Sequence, residues 1–232
     1  MKKLFQFTAI LVLVCNIGTA KAQHHDHLAP VDGFFNLSNR GFEYHSRVRR
    51  ILFDGLSDRP EARFQIMPSY TPESVLDIQF DRDNDRHYIV YHIAERNIWF
   101  NALEEISINK FRTEIDKESV DLIQALFRVA LAQVRFPPAP VPEPFVMEDG
   151  SIEEFVSITE WTGGIRYFFT TQQFGTRQMQ TGYVWSHNRG YKMRRLVNIG
   201  YQLIELAKSE NEIVSIDETL RIEMEDLIND FR

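Results

Sequence analysis

This chain is poor in the residues that most readily carry covalent and metal chemistry. It has a single cysteine, Cys15, in an N-terminal stretch that reads as a removable leader. Without that residue there is no disulfide, no thiol nucleophile and no thiolate metal site. Long apolar runs are missing as well. The most apolar segment, residues 4–18, is interrupted by Asn16 and falls short of the roughly 20 residues that a membrane-spanning helix needs. Gly-x-Ser-x-Gly and His-Glu-x-x-His are absent, and Gly163-Gly164 lacks the pattern that would make it a phosphate-cradling loop. Excess positive charge is lacking too: the formal charge is −7, which repels phosphate backbones and disfavours nucleic acid as a partner.

What is present begins with Lys2 and Lys3, an apolar core and the small-x-small site Ala20-Lys21-Ala22. These are the parts of a secretory signal peptide over residues 1–22. Cleavage after Ala22 removes three lysines and takes the charge from −7 to −10. The expectation is an exported protein, periplasmic or secreted, with no transmembrane span. Lipidation of Cys15 is the rival reading, but Val14 stands where a lipobox carries a small residue.

Residues 23–36 are expected to form a flexible, histidine-containing tail, and residues 37–232 one domain. With 44% hydrophobic residues, 18 Phe and 8 Tyr, burying a core presents no difficulty. Two runs, 76–80 and 88–93, flank the polar tip Asp81-Arg82-Asp83-Asn84-Asp85-Arg86 and read as a β-hairpin. Shorter strands are expected at 48–53, 63–67 and 110–115, and later ones at 152–158, 165–171 and 179–186. Helical spacing governs 117–134, with Asp116 as N-cap, and then 193–207. A last helix opens at Ser215-Ile216-Asp217-Glu218, which has capping-box spacing. The proline-dense stretch 136–145 reads as a stiff extended spacer. Hairpins followed by helices define an α+β fold: a largely antiparallel sheet packed by about three amphipathic helices.

Three groups of residues suggest chemistry. A chain starting at Gln23 places His25 third, so the α-amine, two backbone amides and the His25 imidazole supply four nitrogens in the plane that Cu(II) or Ni(II) prefers. His24 and His27 add further donors, and cyclisation of Gln23 would consume the amine. Residues 81–85 have the alternating carboxylates of a calcium loop, but Arg86 replaces the required glycine and His92 the terminal glutamate, so a charged hairpin tip accounts for them better. Trp161, Tyr167, Phe169, Tyr183 and Trp185 fall on neighbouring strands, where same-face residues would form an aromatic platform for a sugar or peptide. Arg47-Val48-Arg49-Arg50 reads as a solvated basic face, and Ser186-His187, as strand neighbours, would point apart.

Together these features describe an exported, non-enzymatic binding protein whose partner is a protein, such as a secreted enzyme that it inhibits, or a small exposed ligand. An envelope hydrolase acting on peptide or glycan is the alternative, and copper handling through Gln23, His24 and His25 a third. Intact mass of the protein recovered from an expressing cell is expected to begin at Gln23. A mass that retains residues 1–22, or carries lipid on Cys15, would contradict the export assignment.

Overall fold

Apolar residues at every second position are the physical cause of this sheet, because a strand turns successive side chains to opposite faces. A computed structural model describes residues 25–31, 39–136, 143–146, 152–155, 163–173, 175–176 and 178–232. Within them lie strands β1 (Ala29–Pro30), β2 (Ala62–Pro68), β3 (Ser74–Asp81), β4 (Arg86–Ala94), β5 (Ile108–Ile115), β6 (Glu143–Val146), β7 (Ile152–Phe155), β8 (Ile165–Gln172), β9 (Met179–Trp185) and β10 (Ile213–Val214). The helices are α1 (Asn39–Leu52), α2 (Lys117–Ala132), α3 (Tyr191–Ala207) and α4 (Glu218–Phe231). Eight strands form one sheet in the order β1-β9-β8-β2-β3-β4-β5-β10, while β6 and β7 pair separately. Every neighbour in the large sheet is antiparallel except β10 against β5. This is the α+β architecture expected, with four described helices in place of three. No helix among the described residues is long and apolar enough to cross a membrane.

One face of the sheet carries Phe64, Ile66, Leu76, Ile78, Ile89 and Tyr91 and is buried against α2, α3 and α4. Their apolar stripes supply Ile123, Phe127, Leu196, Leu203, Leu227 and Phe231 to the same core. Asp116 caps α2, accepting from the Ser119 amide at 2.9 Å, and Asp217 caps α4, accepting from Leu220 at 2.8 Å. The cap of α4 is therefore Asp217 and not Ser215. Ser119 also links the two helices, since its hydroxyl accepts from the Ile216 amide at 2.9 Å. On the opposite face α1 packs through Val48 and Leu52 against Met67, Val75, Ala94, Ile98 and Phe168.

Several expectations are corrected. Residues 48–53, read as a strand, belong to the last turn of α1 and the turn after it. Tyr44, Val48, Ile51 and Leu52 recur at helical spacing, but their window is too short to separate a helix end from an apolar strand. The end of the proline-rich stretch enters β6, which pairs with β7. Of the strand expected at 152–158, Ile152–Phe155 is β7, and residues 156–158 lie outside the described residues. Residues 25–31, expected in the tail, are docked on the domain. Leu28 is fully buried, Ala29 and Pro30 pair with β9, and the Asp26 carboxylate accepts from the Lys192 amide at 2.8 Å. That contact caps α3, whose own N-cap, Gly190, has no side chain to do so. A Cβ on Gly190 would lie 2.6 Å from the Asp26 carboxyl carbon, so glycine is what lets the N-terminal segment approach.

Gly200 marks the closest approach of α3 to β2, where an added Cβ would lie within 2.7 Å of the Phe64 ring. In a free helix Gly→Ala gains about 1 kcal/mol, but overpacking a core costs about 1–3 kcal/mol. Gly200→Ala is accordingly expected to lower the denaturation midpoint; an unchanged or raised midpoint would contradict this packing.

Candidate functional site

The pleat separates the four described members of the aromatic set read from the sequence. Tyr167 and Phe169 turn into the helix-covered core, where Phe169 packs on Phe64 (4.9 Å) and edge-on to Phe127 (5.2 Å). Tyr183 turns to the opposite face and meets Phe168, 5.7 Å between ring centroids. Trp185 stands beside His187 at 5.2 Å, and Trp161 lies outside the described residues. The two buried members cannot share a surface platform with the other two. Phe168, which lies between Tyr167 and Phe169 in sequence, faces the second side together with Tyr183.

That second face is laid out in rows across the sheet. Thr181, Thr170, Arg63, Asp77, Val90 and Arg112 form one row in register, and Tyr183, Phe168, Gln65, Val75, His92 and Lys110 the next. Helix α1 covers this face only in part. Beside it a cavity of about 360 Å³ remains, with Arg63, Gln65, Met67, Phe168, Thr170 and Thr181 lining it from the sheet and His45, Ser46 and Arg49 from α1.

Beneath the rim the polar groups hold one another. Arg63 makes a forked pair with Asp77, Nε to Oδ1 at 2.6 Å and Nη2 to Oδ2 at 2.8 Å. The same guanidinium donates to the Ser57 carbonyl at 2.7 Å and lies 4.2 Å from the Phe53 ring centre. Burial pushes the Asp77 carboxyl above its ordinary value, and Arg63 draws it back. His92 Nδ1 lies 2.8 Å from the Leu52 carbonyl, and burial lowers the imidazole's pKa, so the neutral ring donates and fastens the end of α1 to β4. Tyr44 donates to Glu73 at 2.6 Å, and the Ile98 amide donates to the other carboxylate oxygen at 2.7 Å. Burial raises the pKa of Glu73 and of Tyr44. Burial and the nearby Arg166 lower His45 to about 4, so it stands in the cavity wall as a neutral imidazole at pH 7.

The other sequence motifs resolve separately. Gln23 and His24 lie outside the described residues, while the His25 carbonyl accepts from the Gly190 amide at 2.9 Å and its ring sits 5.5 Å from His27. No group of three or more His, Cys, Asp or Glu side chains suited to a metal is found among the described residues. Asp81 folds back on its own turn, accepting from the Asp83 amide at 3.1 Å and Asn84 Nδ2 at 3.0 Å. Arg49 and Arg50 are exposed on α1, whereas Arg47 donates inward to the Asn101 carbonyl. Ser186 and His187 lie in a 3₁₀ turn and not in a strand, which brings Oγ and Nδ1 to 3.4 Å. The strand argument for their separation therefore lapses, although Ser186 Oγ already accepts from the Ile165 amide at 3.0 Å. Ser107-Ile108-Asn109-Lys110 has Ser-x-x-Lys spacing but runs into β5, where residues three apart face opposite ways, and Lys110 pairs with Asp54 at 2.9 Å.

The cavity residues escaped the sequence reading, although a signal was there. Arg63 and Asp77 are charges inside otherwise apolar strands, and such charges must find each other. Comparison with protein-family models, with curated proteins and with solved structures gives no match.

Removing one partner of a buried ion pair costs about 3–5 kcal/mol. Arg63→Leu is expected to lose that much in chemical denaturation at pH 7, and Arg63→Leu/Asp77→Leu much less. Without Arg63 the folded-state pKa of Asp77 stands well above the 3.8 of a free carboxyl. The deficit should then be smallest below pH 4 and grow as the pH rises through that raised value. A deficit independent of pH would contradict the pairing.

Proposed function

We propose that this is an exported binding protein that holds a small ligand in the cleft between α1 and the second face of the sheet. The cleft supports this reading. At about 360 Å³ it falls in the ~300–1,000 Å³ range of small-molecule sites, and like them it combines apolar walls with a few polar groups. Met67, Phe168 and Met179 supply apolar surface, and His45, Gln65, Thr170 and Thr181 supply neutral hydrogen-bonding groups. The floor is in-register sheet tied down by the Arg63–Asp77 pair, so the site is formed before a ligand arrives and little ordering cost is left to binding.

A second reading, contact with a protein partner, is favoured by a separate feature. Tyr70, Phe100 and Trp99 are 68%, 62% and 44% exposed on the loops that follow β2 and β4. Asn97 rigidifies that tip: its side-chain carbonyl accepts from the Trp99 amide at 3.0 Å, and its Nδ2 donates to the Thr71 carbonyl at 2.8 Å. Preorganised, exposed aromatics are the usual anchors of protein interfaces.

Ser46 lines the cleft from the exposed side of α1, so a bulky side chain there narrows the cleft without disturbing the core. Saturation-transfer NMR with 2-naphthol is expected to detect saturable binding to the native chain and to Ser46→Ala, and at least tenfold weaker binding to Ser46→Trp. Equal affinity for all three would place the site elsewhere.

A further inference from the structure

Gln65 occupies an unusual position in the centre of the cleft floor. The sheet register sets it between Phe168 on β8 and Val75 on β3, neither of which can hydrogen-bond to an amide. Its neighbours along the same face of β2 do not bond to it either. Arg63 directs Nε and Nη2 to Asp77 and the Ser57 carbonyl, and Met67 has no strong donor or acceptor. Thr170 and Thr181 are bonded to each other at 2.9 Å. The Gln65 side chain lines the cavity and has no hydrogen-bond partner among the described residues. An amide on an apolar floor loses free energy unless its carbonyl and NH2 are satisfied, and the Gln65 amide opens onto the cleft, where water or a ligand can satisfy them.

The charged groups that line the cleft are already matched. Arg63 is neutralised by Asp77, and at the mouth Arg49 stands 3.5 Å from Asp58. Arg166 stands at the edge of the cleft, in register with Met67 and among Tyr44, His45 and Tyr183, and is not one of its lining residues. An ionised ligand would be desolvated here without a countercharge set aside for it, which is costly. A neutral donor–acceptor edge meets the Gln65 amide with two parallel hydrogen bonds, the geometry that makes glutamine a reader of planar amide-like edges. Phe168 flanks that amide and offers a ring surface against which a flat molecule packs.

We propose that the cleft binds an uncharged, flat, largely apolar molecule carrying adjacent N–H and C=O groups, as in a lactam, cyclic imide or nucleobase, and that Gln65 reads that edge. This rests on the ligand-binding reading of the cleft, and the test separates the two. The probes are 2-quinolone, which carries the edge, N-methyl-2-quinolone, which lacks the donor, and quinoline-2-carboxylate, which is anionic. Each is titrated calorimetrically into the native chain, Gln65→Leu and Ser46→Trp. Because the Gln65 side chain makes no hydrogen bond among the described residues, Gln65→Leu is expected to fold and to melt no lower than the native chain.

2-Quinolone is expected to bind the native chain about tenfold tighter than either other probe, the worth of one hydrogen-bonded edge. That preference should vanish in Gln65→Leu, and binding should weaken in Ser46→Trp. If all three probes bind equally, lose affinity in Ser46→Trp and are indifferent to Gln65→Leu, the cleft is a site but its proposed chemistry is overturned. Tighter binding of the carboxylate would overturn it in favour of an anion site built on the arginines. If no probe binds, or if Ser46→Trp leaves binding unchanged, both the chemistry and the cleft reading fall.

Discussion

The alternation of side chains along a strand is the constraint on which the rest of this molecule depends. Each strand that buries one set of residues against α2, α3 and α4 must present the intervening set on the other side. Burying Phe64 and Ile66 obliges β2 to present Arg63, Gln65 and Met67, and burying Phe169 obliges β8 to present Phe168 and Thr170. With three helices on one face and, among the described residues, α1 alone on the other, the second face is only partly covered. Its mixture of charge, amide, hydroxyl and aromatic ring is the raw material of a binding site.

A half-covered face carrying charge would be unstable unless the charges were paired, and here they are. Asp77 is completely buried; burial raises its pKa, and the forked bond with Arg63 opposes that shift. Around that pair, His92 fixes the end of α1, and Glu73 ties Tyr44 on α1 to the loop at Ile98. These polar contacts join the helix to the sheet at several points without filling the space between them. The structural consequence is a rigid cleft; the functional one is that the Gln65 amide on its floor has no hydrogen-bond partner among the described residues.

Much of the fold was legible in the sequence. The β3–β4 hairpin, the cap at Asp116 and the helical stripe of α3 follow from local periodicity and capping chemistry, which a short window records. The site was not legible, because it depends on register: that Gln65 lies beside Phe168 is settled by a pairing between residues a hundred positions apart. The placing of the aromatic residues was hidden for the same reason, since Tyr167 and Phe169 share a strand with Phe168 but face the other way. The docking of residues 25–31 was equally hidden, since nothing local shows that Asp26 caps a helix beginning at Tyr191. Arg63 and Asp77 are the exception, being conspicuous as charges within apolar strands.

The central claim, that a ligand is read on the floor of the α1 cleft, is tested most directly at the Gln65 side-chain amide itself. In a ¹⁵N-labelled protein its two N–H resonances are followed while 2-quinolone is added. The structure predicts that both move and saturate together with backbone resonances of Phe168 and Ser46. Saturable binding that shifts resonances elsewhere while the Gln65 amide stays still would contradict the account.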